Sequence, residues 1–318
     1  METKRPSFSA VSIFIFLAII ASTFSLSFTQ EKNKEGLTYQ ISVSAISIAV
    51  TVQDKGGKYI NNLTEEDFTV YENNVKKDLT YFKHDFEAPL SLTVLLDVSG
   101  SMALQDKIDE IKEALNYMLT SLLGPQDEVS LLIFADGQVE VAARFSTDKN
   151  NFLKVLEKTK AYGQTALNDA VAVSPEFANK GKNEKRALLL MTDGIENDSQ
   201  CTPEQAIEIA RRVDVPIYAI GYKIPLNEQN LREHKRAPTL TSSGIVDTLE
   251  RFSQATGGKA FFMNGTYELD EALREIQKEL THHYILGYTS YKDPKNEYRK
   301  IKVITTNKKH KVRTRAGY

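Results

Sequence analysis

The chain has 318 residues, of which 41% are hydrophobic and 26% are charged, a composition typical of a globular protein with room for one large domain and a smaller one. Its formal net charge of −2 gives no global indication of binding to nucleic acid or to an anionic membrane surface. The single cysteine, Cys201, excludes an internal disulfide. We interpret it as a loop thiol, with pairing to another chain as the alternative.

The N-terminal residues follow the order of a secretory signal peptide. Two basic residues precede the apolar run Val11–Ala21, and small and hydroxyl residues follow it up to Ser27. The run is shorter than the ~20 residues of a membrane-spanning helix. We therefore expect residues 1–27 to direct the protein out of the cytoplasm, as a secreted or periplasmic protein. An uncleaved membrane anchor is the alternative, because Phe24 and Phe28 lengthen the apolar tract.

The next segment, residues 28–88, is predicted to be rich in β-strands. Polar and apolar residues alternate over residues 39–52, the pattern of a strand with one solvated face. Phe68–Glu72 and Leu79–Phe82 are further predicted strands, with Asn73-Asn74 as the hairpin turn between them.

From residue 89 to residue 281 the pattern becomes one of strands alternating with helices. Such βαβ units predict an α/β fold with a doubly wound, mainly parallel sheet. The predicted strands are Leu92–Leu96, Val129–Phe134, Ala187–Met191, Ile217–Gly221 and Ala260–Met263. The predicted helices are Ile108–Leu122, Phe152–Lys158, Ala166–Phe177, Pro203–Arg212, Val246–Gln254 and Leu269–Leu280.

The C-terminal segment, residues 282–318, returns to a β pattern. Its predicted strands are Tyr284–Tyr288, Arg299–Thr305 and Val312–Arg315. Because the ends of a compact α/β domain are often close together, we expect this tail to pair with residues 37–88. The two segments would then form a second, smaller β-rich domain that the α/β domain interrupts.

Oxygen-bearing side chains follow the predicted strands at three points. Asp97, Ser99 and Ser101 come directly after the apolar strand Leu92–Leu96, Thr165 precedes a predicted helix, and Asp193 follows another apolar strand. Open α/β sheets bind ligands at the carboxyl ends of their strands. Oxygen donors without His or Cys suit a hard cation. The sequence therefore predicts a metal site.

These motifs resemble a von Willebrand factor type A domain with a metal-ion-dependent adhesion site, over about residues 90–280. The resemblance implies that Ser99, Ser101 and Thr165 hold one divalent cation through their hydroxyls, while Asp97 and Asp193 act through water or hydrogen bonds. Mg²⁺ is the expected ion, with Mn²⁺ or Ca²⁺ as alternatives. An Asp or Glu carboxylate from a protein partner would complete the coordination shell, without a small-molecule cofactor.

The flanking β segments resemble a group of bacterial exported proteins that carry this domain. For such a protein we predict a non-enzymatic adhesion or scaffold module, since there is no Gly-x-Ser-x-Gly motif and no phosphate-binding loop. Membrane contact is expected only if the N-terminal segment stays uncleaved.

Alternatives remain open at this stage. Taken singly, Ser101 and Thr165 are each also explained by a helix-capping role alone, without a metal. A metal-assisted hydrolase would need a general base, for which Asp169 and Glu196 are the nearby residues. A third possibility is a structural subunit of the cell envelope whose metal only stabilises the fold.

The connection of residues 222–245 is unusually long for a link between a strand and a helix. It contains a basic cluster and follows a parallel strand, so it should lie at the same edge of the sheet as the metal loops. We interpret it either as a determinant of partner choice or as a solvated surface loop.

Overall fold

The apolar run that ends at Asp97 lies in the middle of the α/β part of the protein. The computed structural model describes residues 43–84, 87–224, 242–291 and 298–318. The predicted signal peptide and residues 225–241 of the long connection lie outside these described residues. Within them, no helix is long and apolar enough to cross a membrane.

The strands and helices follow the predicted order closely. The strands are β1 (Val43–Gln53), β2 (Phe68–Glu72), β3 (Val75–Lys77), β4 (Leu79–Lys83), β5 (Leu90–Asp97), β6 (Glu128–Ala135), β7 (Gln138–Ser146), β8 (Lys185–Thr192), β9 (Ile217–Tyr222), β10 (Ala260–Met263), β11 (Tyr284–Tyr291), β12 (Ile301–Thr305) and β13 (Lys311–Arg313). The helices are α1 (Lys107–Tyr117), α2 (Lys149–Lys158), α3 (Leu167–Ala178), α4 (Pro203–Ala210), α5 (Ser242–Thr256) and α6 (Thr266–Thr281).

The central sheet has the strand order β10-β9-β8-β5-β6-β7, and its strands are parallel except for the antiparallel edge strand β7. Every residue of β5 is buried, as its apolar sequence predicts. Leu92, Val94 and Leu96 pack in a cluster with α1, α2 and α6. Leu95 packs in the opposite cluster with α3, α4 and α5. The predicted doubly wound, mainly parallel sheet is confirmed.

Strand β7 is absent from the sequence prediction. Asp136 and Gly137 both have positive φ, 49° and 68°, and form the two-residue turn that joins β6 to β7, with Ala135 opposite Gln138. An Asp-Gly pair between two strands strongly indicates a hairpin, so the sequence could have predicted this strand.

The terminal strands form two further sheets, with orders β13-β1-β11-β4 and β12-β2-β3. β1 pairs with β11 over eight residues, from Val43 opposite Tyr291 to Val50 opposite Tyr284. The expected pairing of the C-terminal segment with residues 37–88 is thus confirmed, and the outer sheets have their own apolar core. Residues 41–318 cluster as one compact unit, and the domain boundaries proposed above stay a prediction.

The predicted hairpin partner of β2 was wrong. Asn73 and Asn74 do form the turn, with φ of 49° and 65°, but the strand that follows it is β3, with Glu72 opposite Val75. A two-residue turn places the partner strand immediately after it. Leu79–Lys83 instead pairs with β11 in the other outer sheet.

The outer sheets join the α/β unit through a buried polar cluster around Glu279, near the end of α6. Its fully buried carboxylate accepts hydrogen bonds from the hydroxyls of Tyr218 (2.6 Å) and Tyr59 (3.2 Å) and pairs with Arg313. The Tyr218 hydroxyl also lies 3.2 Å from Nε2 of buried His283. Because the tyrosine donates its proton to Glu279, the imidazole is the neutral donor in this pair.

Burial, together with the charges of Arg313 and Lys185, lowers the pKa of His283 to about 3. The unfolded chain has an ordinary histidine pKa of about 6.5, so between these values it binds a proton that the folded protein does not. We therefore expect the His283 contribution to stability to be complete above pH 6.5 and to be lost as the pH falls towards 3.

Urea unfolding at pH 7.5 and pH 4.5 tests this expectation. The free energy of unfolding should fall by roughly 2–3 kcal/mol more in the wild type than in His283→Gln. His310→Gln, in the turn before β13, serves as the matched control and should behave like the wild type. An equal loss in the wild type and in His283→Gln would contradict the account.

Candidate functional site

The candidate site lies at the carboxyl edge of the central sheet, between the ends of β5 and β8. These strands are parallel neighbours, with Leu96 opposite Met191. From β5 the chain crosses to β6 on one side, while β8, β9 and β10 lie on the other. Such a reversal of strand order is where open α/β sheets bind their ligands.

The first site loop, Asp97–Met102, is organised by the Asp97 carboxylate, which is fully buried. Its Oδ1 accepts a bond from the backbone N–H of Ser99 (2.9 Å), and its Oδ2 accepts one from the Thr192 hydroxyl at the end of β8 (2.6 Å). This turn brings the hydroxyl oxygens of Ser99 and Ser101 to within 3.1 Å of each other. Both serines are buried.

The second site loop, Thr159–Ala166, is held against the first by the main chain. The N–H of Tyr162 donates to the carbonyl of Val98 (2.7 Å), and that of Gly100 donates to the carbonyl of Gly163 (3.0 Å). Gly163 has a φ of 71°, and a Cβ there would lie 2.3 Å from the Asp136 carboxylate. Glycine is therefore required at this crossing.

Thr165 is 1% exposed, and its main chain binds the third site loop, Asp193–Ser199. Its N–H donates to Oδ1 of Asn197 (2.8 Å), and its carbonyl accepts from the N–H groups of Asn197 (3.1 Å) and Asp198 (3.0 Å). The Thr165 hydroxyl makes no hydrogen bond to any residue that the structure describes. The three predicted loops are therefore in contact through their backbones.

Neither Ser101 nor Thr165 caps a helix in this arrangement. The residues that precede the first turns of α1 and α3 are Asp106 and Ala166. In place of a side-chain cap, the carboxylate of Glu196 accepts a bond from an N–H in the first turn of α3 (3.0 Å). The capping alternative therefore does not account for these two hydroxyls.

Asp193, in the third site loop, is fully buried and pairs with a buried lysine. Its Oδ2 accepts a bond from Nζ of Lys107 (2.7 Å), and its Oδ1 accepts one from the N–H of Ile195 (3.2 Å). Gly194 has a φ of 75° and donates its N–H to the Thr192 hydroxyl (2.9 Å). A Cβ at this glycine would lie 2.1 Å from Ile245.

The two carboxylates of the site repel each other. Burial raises the pKa of Asp97 to about 7, and the charge of Asp193 adds to this effect. Hydrogen bonds from Thr192 and Ser99 act in the opposite direction without cancelling it. Lys107 neutralises Asp193, so a second positive charge at this point would stabilise the ionised form of Asp97.

Sequence reasoning missed Lys107 as a residue of the site. It is the first residue of α1, where the helix dipole disfavours a positive charge. A lysine at this position indicates a compensating negative charge nearby, and the sequence prediction did not use this indication. Gln105 and Asp106 both have φ of 58°, a left-handed conformation that non-glycine residues rarely adopt. Through this turn the chain enters α1 with the lysine directed towards Asp193.

The two carboxylates considered as general bases instead hold the third site loop and the two residues that follow it. Asp169 accepts bonds from the N–H groups of Gln200 and Cys201 (both 2.8 Å). Burial acts to raise the pKa of Asp169, but these two bonds outweigh it and lower the pKa. Glu196 accepts bonds from the N–H groups of Asp198 (3.0 Å) and Ser199 (2.9 Å).

Over the described part of the chain, no group of three or more His, Cys, Asp or Glu side chains is placed to hold a metal ion. The candidate site instead combines two carboxylates with three hydroxyls. Its chemistry therefore depends on Ser and Thr oxygens, donors that hard cations accept.

Replacing Lys107 with Met should destabilise the protein strongly, because it leaves two buried carboxylates without their cation. Breaking a buried ion pair on one side costs roughly 3–5 kcal/mol. Urea unfolding in the presence of EDTA measures the effect. Lys112→Met, which breaks a surface pair with Asp109, is the matched control and should cost less than about 1 kcal/mol. Similar losses in both variants would contradict the importance of the buried pair.

Part of the chain is similar in sequence to a known family of protein domains. Residues 92–196 match the family model of the von Willebrand factor type A domain. The chain is similar to an uncharacterized protein of Borreliella burgdorferi (23% identity, covering 70% of this chain and 63% of that protein). It is also similar to an uncharacterized protein of Synechocystis sp. (32% identity, covering 62% of this chain). The chain spans 63% and 43% of the lengths of these two relatives.

Two solved structures align with the chain at low identity, both with TM-scores below 0.5. A von Willebrand factor type A structure from Catenulispora acidiphila aligns with 15% identity and a TM-score of 0.48, covering 77% of this chain and 52% of that one. The conserved hypothetical protein BatB from Bacteroides thetaiotaomicron aligns with 18% identity and a TM-score of 0.47, covering 60% of this chain and 98% of that one. The similarity to the von Willebrand factor type A domain therefore covers residues 92–196, the part of the chain that contains all five predicted residues of the candidate site.

Proposed function

We propose that the carboxyl edge of the central sheet binds one divalent cation, Mg²⁺ by preference, and uses it to capture an acidic group of a protein partner outside the cytoplasm. The protein would act as an adhesion or scaffold module and not as an enzyme. One observation carries the proposal. Two loops that bear the hydroxyls and a third that bears Asp193 contact one another through their backbones, and the buried carboxylates of Asp97 and Asp193 are neutralised only in part by Lys107.

The donor set suits such a cation. Ser99 and Ser101 have adjacent hydroxyls, and Thr165 is 1% exposed, with a hydroxyl that has no hydrogen-bond partner among the described residues. Mg²⁺ and Mn²⁺ are bound by oxygen ligands, and Mg²⁺ usually keeps several waters. These three hydroxyls are the groups that we expect to contact the ion.

The two carboxylates have a different task in the proposal. Asp97 orients the first site loop through Ser99 and joins it to β8 through Thr192, while Asp193 is held by Lys107. Both carboxylates are engaged in bonds to the protein, so they would act on the ion through water or through hydrogen bonds to its ligands. A bound divalent cation with mainly neutral ligands would offer an electrophilic coordination position to a carboxylate of the partner.

Von Willebrand factor type A domains typically take part in protein–protein interaction or adhesion, which favours a protein partner. The hydrolase alternative needs a free base, whereas Asp169 and Glu196 accept bonds from backbone N–H groups. A location outside the cytoplasm rests on the signal-peptide pattern of residues 1–27.

Affinity capture on the immobilised full chain tests the proposal. A partner should be retained from an extract in Mg²⁺ and be released by EDTA, and Ser99→Ala should lose it because one ion ligand is removed. Ser121→Ala, at an exposed serine outside the three site loops, in the turn after α1, is the matched control and should retain it.

Retention that is the same in Mg²⁺ and in EDTA would contradict a cation-mediated contact. Thermal unfolding measured in parallel separates the remaining alternative. A melting temperature that EDTA lowers, without any EDTA-sensitive partner, would favour a purely structural metal.

A further inference from the structure

The net charge of −2 conceals a strong separation of charge along the chain. The described residues of the terminal strands (43–84, 284–291 and 298–318) contain 13 Lys and Arg against 6 Asp and Glu, a formal charge of +7. The described residues of the α/β part (87–224 and 242–281) contain 18 Lys and Arg against 28 Asp and Glu, a formal charge of −10.

Much of the positive charge is free at the surface. The arginines of residues 298–318 are used inside the protein, where Arg299, Arg313 and Arg315 pair with Glu72, Glu279 and Asp214. The lysines of the same segment are exposed, and none forms an ion pair within the described part of the chain. They are Lys300, Lys302, Lys308, Lys309 and Lys311.

One of these lysines, Lys302, lies in the same row across the sheet β12-β2-β3 as Lys76 of β3, which is also exposed. Lys302 lies opposite Tyr71, and Tyr71 lies opposite Lys76. The next row places Ile304, 39% exposed, opposite Thr69. Because adjacent strands are ~4.8 Å apart, the two lysines flank the tyrosine at ~10 Å from each other. We call these five residues the basic face.

The basic face combines positive charge with an exposed isoleucine and a partly exposed tyrosine. Its five residues include no acidic side chain, and in β12 the inward residues are buried while Lys302 and Ile304 are exposed. Lysines attract anionic lipid headgroups, and tyrosine and isoleucine suit the boundary between headgroups and acyl chains. A soluble polyanion would use the lysines but would gain nothing from Ile304.

The terminal strands contact the α/β unit at its amino edge. Arg315 pairs with Asp214, just before β9, and the N–H of Ala316 donates to the carbonyl of Ala255 at the end of α5 (3.3 Å). Arg313 pairs with Glu279 at the end of α6. The candidate metal site lies at the opposite, carboxyl edge, so a surface bound by the terminal strands would leave that edge free.

We propose that the basic face docks on an anionic lipid bilayer and presents the carboxyl edge of the central sheet away from it. This attachment is electrostatic and is independent of the N-terminal apolar segment and of any metal. It gives the protein a membrane-facing end and a partner-facing end.

Co-sedimentation of the full chain with lipid vesicles tests the proposal. Vesicles of phosphatidylcholine alone are compared with vesicles that contain one third phosphatidylglycerol, so that any insertion of the N-terminal segment is common to both. The wild type should prefer the anionic vesicles by about tenfold or more, and high salt should remove this preference.

Two triple variants that change the charge by the same amount show which surface contacts the bilayer. The triple variant Lys76→Glu, Lys300→Glu and Lys302→Glu should lose the preference, because it reverses both lysines of the basic face and the exposed lysine directly before β12. The matched triple Lys154→Glu, Lys158→Glu and Lys160→Glu, at exposed positions in and after α2, should keep it. Unfolding curves of both triples verify that they fold. No preference in the wild type, or an equal loss in both triples, would overturn the proposal.

A single substitution separates a bilayer from a soluble polyanion. Ile304→Ser should weaken binding to anionic vesicles and leave binding to heparin unchanged, because only the bilayer offers an apolar boundary. Vesicle binding that is unaffected by Ile304→Ser, or binding to heparin without binding to vesicles, would overturn the lipid assignment.

Discussion

A buried carboxylate at the end of a buried strand is the constraint on which the site depends. Asp97 is fully enclosed, and an ionised group in such a place is unstable unless hydrogen bonds or opposite charges compensate it. Thr192 and Ser99 provide hydrogen bonds, and each has a structural consequence. The first joins the ends of β5 and β8, and the second turns the chain so that the hydroxyls of Ser99 and Ser101 become neighbours.

The positions of the other loops follow from this turn. The second site loop bonds to Val98 and Gly100, and the third bonds to Thr165, in each case through main-chain atoms. Because the backbone carries these contacts, the Thr165 hydroxyl has no partner among the described residues, and the hydroxyls of Ser99 and Ser101 lie against each other. The compensation is also incomplete, since Lys107 pairs with Asp193 and the pKa of Asp97 remains raised. Both properties favour a site that accepts a cation.

The sequence was sufficient to predict the five parallel strands of the central sheet, since short apolar runs such as Leu92–Leu96 alternate with segments of helical periodicity, a pattern that few other folds share. The three loops of the site were predictable because parallel strands end at one edge. Strand β7 was missed, although the Asp136-Gly137 pair is typical of a hairpin turn. The partner of β2 was assigned wrongly, because a two-residue turn at Asn73-Asn74 requires the next strand to begin at Val75. The pairing of Lys107 with Asp193 depends on a left-handed turn between the site and α1, which the residue types there do not signal.

The most direct test of the account is calorimetric titration of the protein with Mn²⁺, a cation accepted by the same oxygen donors as Mg²⁺. The account predicts one bound ion per chain, an affinity at least about tenfold lower in the double variant Ser99→Ala and Ser101→Ala, and an unchanged affinity in Ser121→Ala. Equal affinity in the double variant and the wild type, or no binding of the ion by the folded wild type, would contradict it.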